Sequence, residues 1–172
     1  MDQTDVGLKS VVKALSDTVA GAIDPDDHLA KEQLRLAIGY LEFVRQRLHL
    51  IHARERFDLK HYADLAEGLL KLDLTARTEA GQLRRRLGEA RPMLGDPAVL
   101  TADVRSVSTE LAHAVAALIK AEHDAGSKAA AAVDRLVLDA TDERLAMERK
   151  WYEPIGFEPA PLGAPTLEER LK

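Results

Sequence analysis

His52, Glu55 and Glu122 are the residues of this sequence with the best case for doing chemistry. Imidazole and carboxylate side chains hold divalent first-row metals where no thiolate is at hand, and the 172-residue chain contains no cysteine. The same absence removes a thiol nucleophile, a zinc ribbon and a disulfide scaffold. The three residues fall on the apolar stripes of two predicted helices. An up-and-down bundle should bring those stripes to one end, giving a shared layer with His61 and His123 nearby. A metal or small-anion site there competes with a plainer reading, in which the end of a core opens to water and its polar residues form an ion pair.

A second pattern, Glu110-Leu111-Ala112-His113, has the E-x-x-H spacing that carboxylate-bridged di-iron bundles place on inward faces. Such a site needs two of these pairs and two further glutamates, and no second pair occurs. With Leu111 at the centre of its stripe, Glu110 lies roughly 100° and His113 roughly 160° away, so the histidine is expected in solvent. No glycine-rich phosphate loop and no nucleophile–base spacing is found, so no catalytic residue is assigned and no cofactor is implied. Arg77, Arg84 and Arg91 recur every seven residues beside an apolar stripe. Without interleaved aromatics, and in a chain of net charge −5, this row is expected to cover core edges and pair with carboxylates rather than to bind nucleic acid.

These residues have to be positioned by helices. Aromatics are only 4% of the chain, and the prevailing Ala, Leu, Glu and Arg favour helix over strand. The fold class expected is all-α, an antiparallel up-and-down bundle of four to five long helices. Residues 1–152 should form the bundle, and the Pro-rich tail 153–172 should pack on it. Leu8, Val12, Leu15 and Val19 share one face of a first helix, expected alongside the bundle. Asp24-Pro25-Asp26-Asp27 should open a second with Asp24 as cap and Pro25 in the first turn, running to about Arg56. A third should start near Asp58 and carry Tyr62, Leu69, Leu83 and Ala90 until Pro92 and Gly95 stop it. Asp96-Pro97 opens a fourth. Ala125-Gly126-Ser127 either separates it from a fifth or merely kinks one long rod. Thr166 to Glu169 has capping-box spacing.

The least ordinary feature is a second apolar row on the second predicted helix. Besides the stripe Leu34, Leu41, Val44 and Leu48, the residues Leu29, Leu36, Phe43, Leu50 and Phe57 recur every seven positions on the opposite side. Either other parts of the chain cover this row or a partner does, and large apolar patches are uncommon on monomers. The row is therefore read as an interface for self-association, a dimer being favoured. Trp151, Tyr152 and Phe157 gather where the last helix meets the tail; they would either staple the tail to the bundle or form the mouth of a pocket for a small apolar ligand. No apolar run is long enough to cross a membrane, and the start Met1-Asp2-Gln3-Thr4-Asp5 lacks a basic segment, so a cytoplasmic location is expected. Function is expected to be that of a non-catalytic helical assembly protein. The alternative is a metal or small-ligand binder, conceivably an enzyme, built on His52, Glu55 and Glu122 or on the pocket near Trp151.

Overall fold

Side-chain hydrogen bonds fix where the helices begin. In the computed structural model, which describes residues 3–156, 163 and 165–171, Asp24 accepts from the Asp26 amide at 2.9 Å and so closes a turn rather than capping a helix. The cap is Asp27, whose carboxylate accepts from the Ala30 amide at 2.8 Å. Before this turn lies α1, Gln3–Ala14, which continues through a π-helical turn at Leu15–Val19 to Ala20–Ala22. After it come α2, His28–Arg47, a 3-10 turn at Leu48–Leu50, and α3, Ile51–Leu70. The boundary expected between Arg56 and Asp58 is absent. Asp58 is no cap, because its carboxylate accepts from Arg54 Nε at 3.1 Å within an unbroken helix.

The real break comes at residues 71–76, in the middle of the long helix expected to end at Pro92. Apolar spacing runs straight through it because Leu74, in the turn itself, is buried, and Leu72 packs on the same core. Beyond the turn, α4 covers Arg77–Gly95 with Pro92 inside its last turn. Pro92 has no N–H to give to the carbonyl four residues earlier, and the helix ends three residues beyond it. The exposed carbonyls at this end are instead met by Arg56, which donates to Met93 O at 3.2 Å, to Asp96 O at 3.1 Å and to Leu94 O. α5, Thr101–Asp124, ends in a Schellman motif: Gly126 adopts φ 57°, its amide bonds His123 O at 3.0 Å and the Ser127 amide bonds Glu122 O at 3.1 Å. α6, Ala130–Tyr152, is thus a separate helix, not the continuation of one rod. α7, Leu167–Arg170, carries the capping box between Thr166 and Glu169.

Cross-contacts set the directions. Arg56 at the start of α3 grips the end of α4, so these two are antiparallel. His52 Nδ1 lies 2.9 Å from Thr101 Oγ1, and Arg105 Nε donates to Glu55 at 2.8 Å, so α3 and α5 run the same way. Leu136 reaches Gly68 near the end of α3 while Glu148 pairs with Arg54 near its start, which reverses α6. The result is an up-and-down bundle of α3 to α6 whose core includes the fully buried Leu59, Leu69, Leu83, Leu111 and Leu118. α6 packs chiefly on α3. Ala63, Ala66 and Ala90 in the same core let the helix backbones approach closely.

The N-terminal part is built differently. α1 packs against α2 rather than alongside the bundle, and the pair forms an antiparallel arm. No residue of α1 is buried, and in α2 only Phe43 is. Leu8, Val12 and Leu15 of α1 and Leu34, Ile38 and Leu41 of α2 are half-buried. Cutting a fully buried leucine to alanine removes transfer energy and leaves a cavity, so Leu111→Ala should lower stability by about 2–5 kcal/mol. Leu34→Ala, in the thin arm, should cost less than about half as much, because the site is already wet and can collapse. Urea unfolding of the two variants against the parent checks this ordering; equal losses would mean that the arm is as well packed as the bundle.

Candidate interaction surface

The seven-spaced row on α2 and α3 is divided by the fold. Phe43 and Leu50 are buried with Met147 and Trp151 from the end of α6 and Leu167 from α7, and Phe57 packs on the edge of this cluster. Tyr152 stacks on Phe43 with ring centroids 5.7 Å apart. Toward the tip of the arm the cover ends. Leu29 is 71% exposed, Leu36 50% and Tyr40 59%. At 100° per residue these three fall on one flank of α2, away from the half-buried stripe that meets α1. Tyr40 was not evident as part of the row from its spacing of four to Leu36. Gly39 lies beside them, and a Cβ built on it would meet nothing within 4 Å.

A cationic node holds the covered half together. Arg47 donates to Trp151 O at 3.2 Å, and its guanidinium stands 5.7 Å from the Trp151 ring centroid and 5.8 Å from that of Phe43. Arg54 lies 5.2 Å over Trp151 and pairs with Asp58 and Glu148. Burial works against its charge, yet the two carboxylates outweigh burial and hold the guanidinium above its ordinary pKa. Trp151 and Tyr152 are therefore engaged with Phe43, Arg47, Arg54 and Leu167 of their own chain; Phe157, the third residue of the expected pocket mouth, lies outside the described residues. Arg47, Arg54 and Leu167 escaped the sequence reading because nothing in their local spacing marks contacts about a hundred residues apart.

His52, Glu55 and Glu122 do not meet. His52 and Glu55 flank the start of α5 at Thr101 and Arg105, whereas Glu122 sits 21 residues beyond Thr101 on that helix, about 30 Å away at 1.5 Å per residue. The shared layer was expected from a second helix ending near Arg56, and the turn at 71–76 shifts every later end. Among the described residues, no group of three or more His, Asp or Glu is arranged to hold a metal ion. Glu110 and His113 are both exposed, Glu110 pairing with Arg86 at 2.6 Å. In the arginine row, Arg77 faces Asp73 at 3.5 Å and Arg91 pairs with Glu67 and Asp64, while Arg84 is exposed.

Glu122 is fully buried and acts as a cap for a helix that has no cap of its own. Its carboxylate accepts from the Ala76 amide at 2.7 Å at the start of α4, and Thr75 Oγ1 lies 3.2 Å from Ser127 Oγ, which ties the 71–76 turn to the α5–α6 turn. Burial would raise its pKa, but hydrogen bonds from Ser127, Ala76 and Thr75 prevail and hold it below the ordinary value.

Comparisons with protein-family models, with curated proteins and with solved structures find no match for this chain. Its surface must be read from its own geometry.

Because the folded pKa of Glu122 is depressed, its contribution is fully present above the ordinary value of 4.5 and is lost as pH falls through the lower folded value. Glu122→Gln, a neutral isostere, should therefore cost about 1–2 kcal/mol near neutral pH. That gap should close as pH drops below 4.5. Urea titrations across this range measure the gap; one that stays constant or widens would contradict the assignment.

Proposed function

We propose that this chain is a helical assembly protein that forms a homodimer through the open half of the seven-spaced row on α2. The observation that carries the reading is a single continuous seam with two fates: Phe43 and Leu50 are covered by α6 and α7, while Leu29 and Leu36, earlier on the same seam, are left 71% and 50% exposed. A seam that continues past the end of its intrachain partner is satisfied by a helix that takes over where α6 stops, and a second α2 offers one with the same spacing.

Two further features favour a second copy of the chain. Gly39 costs about 1 kcal/mol in mid-helix relative to alanine and has no close neighbour within its own chain; on a dimer seam it would allow close approach of two backbones. The flank carries charges of both signs, Glu32 and Arg35 pairing with each other at 2.6 Å, so like-charge repulsion does not oppose self-contact. Burying each exposed leucine or tyrosine is worth about 1.5–3 kcal/mol. Part of this offsets the entropy of association, so a dimer of moderate affinity is expected.

Sedimentation velocity on the purified chain tests the reading. The parent should sediment as a dimer at micromolar concentration, and Leu29→Glu combined with Leu36→Glu should shift it to monomer with unchanged helical circular dichroism. A parent that remains monomeric at every accessible concentration, or a double variant that still dimerises, would overturn it.

A further inference from the structure

Away from the arm, a cleft of about 810 Å³ opens between α3, the end of α4, α6 and α7. This volume is within the usual range for small-molecule sites. Phe57, Leu94, Leu136 and Leu171 give it an apolar floor. Arg56, Lys60, Arg91 and Arg170 also line it, against the carboxylates Asp64, Asp139 and Glu143, in a chain whose net charge is −5.

The charged groups are not equally satisfied. Asp64 is held by both Lys60, at 2.6 Å, and Arg91, at 3.2 Å. Arg56 is spent on the carbonyls that end α4. Asp139 and Glu143 are exposed and keep their hydration. Arg170 differs from all of these: its Nε is shut off from solvent and has no hydrogen-bond partner. A buried donor left unpaired is costly, and an anionic acceptor drawn to the guanidinium would offset that cost. This asymmetry selects the sign of a ligand, because the hydrated carboxylates do not need a cation whereas the half-buried Arg170 has an Nε without an acceptor among the described residues. The apolar floor selects its body.

We propose that the cleft binds an amphipathic organic anion, a carboxylate or phosphate monoester on an apolar chain, with Arg170 receiving the head group. His61, which lines this cleft and also the groove on the other side of α6, sits beneath the bound chain. Burial and the nearby Arg144 hold its pKa below the ordinary value in spite of Asp58, Glu143 and Asp64, so at neutral pH it contributes no positive charge and lies as a neutral ring beneath the apolar chain. The proposal is independent of dimer formation.

Calorimetry with decanoate, decyl phosphate and decyltrimethylammonium on the full chain distinguishes the cases. Saturable binding of one or both anions is expected, the stronger arm identifying the head group, with no saturable binding of the ammonium compound. Arg170→Gln should weaken the anion at least tenfold and Arg170→Lys should restore part of that loss. Lys60→Glu, at an exposed position that leaves the fold intact, should also weaken it, whereas Arg149→Gln outside the cleft should change nothing. Failure of both anions to bind, equal binding of the ammonium compound, or full affinity in Arg170→Gln would each overturn the proposal.

Discussion

Two helices packed on each other can hide only one face of each, and this constraint governs how the molecule divides. α3 to α6 surround a common core and bury leucines completely, whereas α1 packs chiefly on α2, and α2 meets the rest of the chain only at its end, through Phe43 and Arg47. Helices are marginal alone and gain most of their stability in proteins from packing an amphipathic face, so a pair that leaves large apolar side chains in water along its outer flank is incompletely satisfied by its own chain. The arm is joined to the bundle without a flexible linker, through the 3-10 turn at Leu48–Leu50, and its orientation is therefore transmitted by packing.

That packing is concentrated where α6 overruns the start of α3 and reaches the end of α2. Trp151 is the centre of the junction: Phe43 and Leu50 come from one side, Leu167 from the tail, and two guanidinium groups lie against the indole. Cation–π contacts of this kind gain strength when desolvated, and Arg47 adds a hydrogen bond to the Trp151 carbonyl. The node both covers half of the seam and holds the uncovered half out from the bundle. Covering and presentation are thus consequences of the same contacts.

The fold class was legible in the sequence, because apolar residues at threes and fours and the scarcity of aromatics exclude strands. Helix ends were legible only where the local chemistry decided them, as at Gly126 and at Thr166 to Glu169. The turn at 71–76 was invisible, since Leu72 and Leu74 keep the apolar rhythm while the cap that ends the break is supplied by Glu122, 46 residues further on. Losing that boundary displaced the expected depth of every later residue and produced a metal layer of His52, Glu55 and Glu122 that the fold separates. The five seven-spaced residues of the second apolar row were visible in the sequence, but Tyr40 beside them was not, and the row's division between α6 and solvent depends on where a distant helix stops. Arg170 gave no signal at all; its significance lies in enclosure, which spacing does not encode.

The central claim is that the open flank of α2 meets the same flank of another copy. The absence of cysteine allows this to be tested with a single introduced thiol. Leu36→Cys under mild oxidation should give a disulfide-linked dimer on a non-reducing gel, much faster than Leu138→Cys, an apolar position on α6 that is the more accessible of the two at 68% exposed. Cross-linking at the same slow rate from both positions would contradict the account, because it would show that contact at Leu36 is no more than chance collision.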